Sequence, residues 1–275
     1  SLVEQALHDD RVVFDVPWPS VTLTFAQSLD GRIAGTRGQP LRLSGHESMA
    51  MTHQLRTQHD AILVGIGTVI SDDPRLTARM CGPHYNLRNP QPVVIDPTLR
   101  MPLSCKLLTS PLTDPRVKPP WVITGPQCSM ERKALLEDAG ARVFVMPEDL
   151  TMSTQGSTRP TIEVADILAC LRRQGIQSLM VEGGATVIEH FLQFMSAVRQ
   201  DPSSEQHLPS LRCIITVAPC WVGLDGVTVN IPPAKTIQGP SGDHCKNISS
   251  AVALDITLTK QLGKDVILVG NVQAH

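Results

Sequence analysis

The chain has 275 residues, of which 41% are hydrophobic and 18% charged, the ordinary balance of a globular protein able to bury a full core. A formal net charge of -2 leaves no electrostatic footprint for nucleic acid, and no apolar run approaches the ~20 residues that cross a bilayer, so neither partner is expected. The seven cysteines are odd in number, widely spaced and without a C-x-x-C pair, which predicts free thiols in a reducing cytoplasm.

The first residues, SLVEQALHDDRVVFDVPW, scatter charge and hold no apolar segment, so no signal peptide is expected and 1–19 form an N-terminal extension. VTLTFA (21–26) predicts a strand. SGHESMAMTHQLRTQ (44–58) predicts a helix opened by a capping box of Ser44 and Glu47. AILVGI (61–66), PVVID (92–96) and WVITG (121–125) are continuous apolar strands. MERKALLEDAG (130–140) is a helix closed by glycine, followed by the strand ARVFVM (141–146). TIEVADILACLRRQG (161–175) is an amphipathic helix, SLMVEGG (178–184) a strand, and ATVIEHFLQFMSAV (185–198) another helix. CIITVAP (213–219), ALDITLTK (253–260) and DVILVG (265–270) complete the strands, the last two separated only by QLGK and therefore an antiparallel hairpin. The alternation predicts a single α/β domain with a largely parallel sheet covered on both faces. Segments 71–91, 97–120, 147–160, 199–211 and 223–245 are predicted as loops. NIS at Asn247 matches a glycosylation acceptor, which the missing secretory signal makes a chance occurrence.

Three stretches are candidates for chemistry. In VEGGATVIEHF a strand ends in Glu182, turns through Gly183 and Gly184, and opens a helix at Ala185 and Thr186. Paired glycines admit a ligand close to the backbone, and a helix start favours a phosphate or pyrophosphate; a tight turn with nothing bound remains the alternative. In VGIGTVISDDPRLTAR (64–79) the third glycine of G-x-G-x-x-G is replaced by Ile70, so the dinucleotide fingerprint fails. Thr68, Asp72, Asp73, Arg75 and Arg79 still offer hydrogen bonds and charge, and a solvated polar loop is the rival. In HQLRTQH, His53 and His59 are spaced for different helix faces, not for one metal, and no metal site is expected anywhere. Arg56, on the helix feeding the central strand, is either a phosphate contact or a surface cation.

Together, TFAQSLDGRIAG, THQLRTQHDAILVGIGTVISDDPRLTAR, VVIDPTLRMP and LMVEGGATVI resemble, in order and spacing, the pyrimidine reductases of riboflavin biosynthesis, over about residues 20 to 270. LTFAQSLDGRI and MTHQLRTQHDAILVG look most similar to the fungal form, and the lack of a deaminase-like segment before them fits a stand-alone reductase. The resemblance implies a dihydrofolate-reductase-like fold and a homodimer. It also implies NADPH-dependent reduction of a ribosyl group on an aminopyrimidine 5′-phosphate to ribityl, by hydride transfer to C1′ of the opened sugar.

By the same resemblance, Ala26, Thr68, Asp72 and the turn Gly183, Gly184, Ala185 and Thr186 are cofactor positions, with Asp73 and Pro74 shaping the loop. Thr24, Arg56, Leu76, Arg79 and Glu182 are substrate positions, the arginines for the 5′-phosphate; Glu182 and Asp72 are the catalytic candidates. Thr24 stands where bacterial members often have lysine, which favours a diaminopyrimidine substrate, and Pro40 stands where they have a substrate-contacting serine. The rival readings are a reductase of the same fold acting on the deaminated pyrimidine, a pterin or another carbonyl compound, and a noncatalytic NADP(H)-binding regulatory protein.

Overall fold

A computed structural model describes residues 2–7, 18–36, 39, 41–80, 88–147, 162–199, 211–230 and 252–272. In chain order these form α1 (Leu2–Leu7), β1 (Ser20–Ser28), β2 (Arg32–Thr36), α2 (His46–Thr57), β3 (Ala61–Gly65), α3 (Ile66–Asp72) and β4 (Gln91–Ile95). Then come α4 (Lys106–Thr109), a 3-10 turn (Ser110–Leu112), β5 (Trp121–Thr124), α5 (Met130–Asp138), β6 (Arg142–Val145), α6 (Val164–Arg173) and β7 (Ser178–Gly183). α7 (Ala185–Arg199), β8 (Leu211–Ala218), β9 (Gly226–Thr228), β10 (Leu254–Leu262) and β11 (Asp265–Val272) complete the chain.

Nine strands make one sheet in the order β10-β11-β8-β1-β7-β3-β4-β5-β6, and β2 and β9 pair separately. From β8 to β6 every pairing is parallel, while β11 joins β8 and β10 antiparallel. Strand β3 shows why its run is unbroken by polar residues. Ala61 and Leu63 face Ile167, Leu171, Ile188 and Phe191 of α6 and α7, and Ile62 and Val64 face Val69, Leu107 and Leu136 of α3, α4 and α5. With both faces covered, the two-residue alternation of the strand meets apolar surface on each side.

Where structure and expectation differ, long-range packing is the reason. Helix α2 starts at His46 with Gly45 as its N-cap and no side-chain cap, so the capping box of Ser44 and Glu47 does not form. Instead the buried carboxylate of Asp265, at the start of β11, accepts the Gly45 amide at 2.7 Å. Ile66, expected as the last strand residue, and 67–72, expected to leave the strand as loop, are the helix α3, held by burial of Ile66 and Val69 in spite of the weak helix propensity of IGTVISD. The β10–β11 strands run further than expected and leave only Gly263 and Lys264 as the turn. α1, α4, β2 and β9 were not expected. Pro40, Asn247, Cys81, Cys245 and most of the long loops lie outside the described residues.

Candidate active site

β7 is inserted between β1 and β3. The chain leaves β3 through α3 toward β4, and leaves β7 through α7, which crosses beyond β1 to β8. The two connections part in opposite directions at the carboxyl ends of the strands, and that divergence opens the crevice in which α/β sheets bind ligands. A cavity of about 940 Å³ occupies it, bordered by Ala26, Gly67, Thr68, Asp72, Glu182 and the start of α7. A lobe of about 250 Å³, sharing Ala26, Ser44, Met49 and Glu182, continues beneath it between Thr24, His53, Arg56 and Thr216. On the other side, sharing Gly65, Gly67 and Thr186, an apolar cleft of about 420 Å³ runs between Ile95, Ile162 and Phe191, with Arg100 and His190 at its border.

The turn from β7 into α7 places Gly183 and Gly184 at φ +76° and +91°, a region costly for any residue with a Cβ. At Gly184 that Cβ would stand 2.8 Å from Thr68 Oγ1. The same Thr68 hydroxyl donates to the Gly183 carbonyl at 3.1 Å, so the two stretches predicted to meet a cofactor clamp each other. Gly67, in contrast, has nothing within 4 Å of where its Cβ would be. Val187 and Ile188 bond back to the Gly184 carbonyl, whereas Ala185 and Thr186, the first residues of α7, have no preceding turn to receive their amides.

Arg56, on α2, forms a fork with Glu182 at the end of β7: Nε donates to Oε1 and Nη2 to Oε2, both at 2.6 Å. Its Nη1 donates to the Thr77 carbonyl at 2.9 Å. The pair is mostly buried, with side-chain exposures of 12% and 16%, so the bidentate geometry is weakly screened. Three positions away on the same helix face, His53 sets Nδ1 3.0 Å from the same carbonyl. Burial, then the charges of Arg56 and Arg79, lower its pKa to about 4. His59 is a satisfied core residue, bonded to the Leu55 carbonyl and to the Thr22 hydroxyl.

A lip over the crevice comes from the turn after β1. The Asp30 carboxylate accepts from the Ser28 hydroxyl and from the amides of Gly223 and Val222, which holds its pKa down to about 2. These bonds carry β9 onto β2, and Ile33, Ala34 and Val227 border the cavity.

With this geometry in view, the comparisons decide the family. The profile of the RibD C-terminal domain matches residues 19–194. The chain belongs to the RibD C-terminal domain family. Its relatives include the 2,5-diamino-6-ribosylamino-4(3H)-pyrimidinone 5′-phosphate reductase of Debaryomyces hansenii, 33% identical over 77% of this chain and 79% of the relative. The enzyme of the same name from Saccharomyces cerevisiae is 29% identical over 90% and 88%. The solved Saccharomyces riboflavin biosynthesis reductase Rib7 superposes with a TM-score of 0.67 at 26% identity, covering 94% of this chain and 92% of that one. Acinetobacter baumannii RibD shares the fold, with a TM-score of 0.66 at 22% identity over 94% of this chain and 58% of that one. The sheet is the dihydrofolate-reductase-like arrangement that the motifs implied, and the family is one of nicotinamide-dependent oxidoreductases.

Within this RibD-type reductase the structure gathers Thr24, Ala26, Arg56, Thr68, Asp72, Glu182, Gly184, Ala185 and Thr186 around the crevice, and Gly183 in the turn beneath it. Asp72 is exposed at the mouth and accepts the Ser71 hydroxyl at 2.7 Å. Asp73 caps α3 in the left-handed region, and its carboxylate takes the Lys106 amide at 2.7 Å, so it shapes the loop as expected. Two predicted substrate residues stand apart. Leu76 packs in the core at 3% exposure and borders none of these cavities. Arg79 is exposed and faces a separate polar cleft of about 350 Å³ with Arg75 and Arg116. His53 and Thr216, which line the lower lobe, were missed as site residues; the three-residue spacing of His53 from Arg56 was the available signal for the first.

Proposed function

We propose that this chain reduces the ribosyl group of 2,5-diamino-6-ribosylamino-4(3H)-pyrimidinone 5′-phosphate to ribityl, with NADPH as the reductant and C1′ of the opened sugar as the hydride acceptor. The observation that carries the reading is that one crevice joins the glycine turn, the Thr68 hydroxyl and the Arg56–Glu182 pair, in a chain whose fungal relatives bear that name.

The crevice fits a dinucleotide. Gly67 opens onto empty space, Gly184 has no room for a side chain, and the first amides of α7 are free to meet a phosphate. Thr68, Asp72 and residues 183–186 would hold it, with the Ala26 backbone against its reactive end and the apolar cleft beside Ile95 and Ile162 suited to its adenosine. Arg100 at that cleft supports NADPH over NADH, because a guanidinium suits a 2′-phosphate. When bound, the cofactor supplies the hydride.

The chain's own work is orientation. Glu182, fixed at both oxygens by Arg56, is an acceptor for hydroxyls of the opened sugar and cannot swing away. Thr24 and Thr216 offer hydroxyls to the substrate from the lower lobe. Arg79 and Arg75 supply the cations for the 5′-phosphate from the neighbouring cleft, and Ile33 and Val227 keep water from the mouth. The sheet runs from Ser20 to Val272, which supports one domain, and free thiols at Cys105, Cys128, Cys170 and Cys220 support residence in the cytoplasm. The reading includes a homodimer; a monomer by light scattering at micromolar concentration removes that part.

The test is NADPH oxidation followed by absorbance with the diamino compound and its deaminated counterpart, and with NADH in parallel. Turnover with the diamino compound and NADPH is expected. Turnover with the deaminated compound alone moves the enzyme to the later substrate, and silence with both, despite NADPH binding, overturns the activity.

A further inference from the structure

His53 has one ring nitrogen committed and one uncommitted. Nδ1 lies 3.0 Å from the Thr77 carbonyl, which has only lone pairs to offer, so Nδ1 must carry the proton in that contact. The Arg79 amide approaches the same nitrogen at a longer 3.3 Å and competes for the opposite tautomer. The shorter contact prevails, because two lone pairs facing at 3.0 Å would repel. The Thr77 carbonyl then accepts twice, from His53 Nδ1 and from Arg56 Nη1, one bond for each lone pair. Nε2 is left as a bare acceptor. It has no hydrogen-bond partner among the described residues, it is not one of the sealed unpartnered polar atoms, and the ring borders the lower lobe beside Thr24 and Glu182.

The surroundings keep that lone pair available. The ring is 5% exposed, and two guanidiniums, Arg56 and Arg79, stand near enough to oppose a second proton. Arg56, which would otherwise be the lobe's donor, is already turned onto Glu182 and Thr77. The lower lobe thus presents an acceptor in a position where a substrate carbonyl would be repelled and an N–H or O–H welcomed.

We propose that His53 is a substrate-contacting, specificity-determining residue whose Nε2 accepts a hydrogen bond from an N–H or O–H donor of the substrate. This rests on the reductase reading above and deepens it. An amino group of the ring and a hydroxyl of the sugar are the two sources of such a donor. The amino group lost on deamination is separable from the rest, because the deaminated counterpart carries a carbonyl oxygen in its place but keeps the other amino group and every hydroxyl.

The experiment compares KM and kcat of the parent, His53→Asn and His53→Gln with both compounds. In His53→Asn the shorter amide still donates to Thr77 but nothing reaches the lobe; in His53→Gln the longer amide returns an oxygen near the Nε2 position. Loss of the bond is expected to raise KM of His53→Asn by roughly tenfold, with kcat little changed and His53→Gln intermediate. A rise confined to the diamino compound identifies the amino group lost on deamination as the donor, and an equal rise with both identifies a donor the two compounds share, a sugar hydroxyl or a retained N–H. An active parent whose His53→Asn variant keeps its KM for both overturns the inference and leaves the reductase reading intact. A variant weakened only toward the deaminated compound also overturns it, since that would place a donor at Nε2. A parent inactive with both compounds overturns the reading and this inference together. Imidazole nitrogen-15 shifts of the parent check the tautomer directly: Nδ1 must be the protonated nitrogen.

Discussion

Removing either half of the Arg56–Glu182 fork leaves a mostly buried charge without its partner, the carboxylate at the end of β7 or the guanidinium on α2. Arg56→Met deprives both carboxylate oxygens of donors at 2.6 Å and takes one of two donors from the Thr77 carbonyl. Losing one partner of a fully buried pair costs about 3–5 kcal/mol. With side-chain exposures of 12% and 16%, water recovers part of that, and a loss of roughly 3 kcal/mol is expected. Glu182→Gln keeps one acceptor oxygen for the fork but turns an amide against the second N–H, so about 2 kcal/mol is expected. The double variant leaves no stranded charge and should lose about 3 kcal/mol, which makes the coupling near 2 kcal/mol. Urea unfolding of the four proteins followed by circular dichroism measures this. Costs that add to within about 0.5 kcal/mol would refute the argument that the two side chains act as a unit.

Acid should act through His53. Its folded pKa of about 4 lies below the ordinary 6.5, so above pH 6.5 both states are neutral and nothing is lost. As pH falls from 6.5 toward 4 the unfolded chain takes a proton that the folded site refuses, and stability drops by about 3 kcal/mol before levelling. The stability gap between the parent and His53→Asn, measured by urea unfolding, should therefore shrink toward pH 4; a constant gap refutes the assignment. Gly67→Phe is expected to leave the melting temperature within a few degrees while raising the KM for the nicotinamide cofactor at least tenfold, since nothing stands within 4 Å of the new Cβ and the ring would sit at the border of the crevice. Unchanged cofactor kinetics would contradict that. Gly183→Ala is expected to cost about 2–4 kcal/mol, because φ is +76° and the new Cβ would meet Ile188 Cγ1 at 2.6 Å; a thermal melt like the parent's would be the contrary result.

The buried strands were legible because β3, β4 and β7 lie between two apolar layers, and the middle of each run, at 62–64, 93–95 and 179–181, is apolar without a break. α3 was not, since its seven residues are weak helix formers held by distant contacts, the burial of Ile66 and Val69 and the bond from Thr68 to the Gly183 carbonyl. The start of α2 was misread for a related reason. Its cap is a carboxylate 220 residues away, and no local pattern of Ser44 and Glu47 announces that. At the site, the glycine turn and Thr68 could be found from motifs in chain order, but not that one clamps the other. Arg56 was expected at a phosphate, and its partnership with Glu182 spans 126 residues of sequence. Leu76 shows the converse: a motif residue whose side chain serves the core.

The insertion of β7 between β1 and β3 has a consequence for how the chain acquires its shape. Strands β1 and β3 are consecutive in the chain among the strands of the large sheet, yet they never pair, because the strand that joins them arrives more than a hundred residues later. Until residues 178–183 emerge from the ribosome, both carry an open edge of unpaired amides and carbonyls beside bare apolar faces. Closure of these long loops must precede any reward from the sheet's centre, so folding should be slow, and nascent chains ending before β7 should be the ones that aggregate or recruit chaperones.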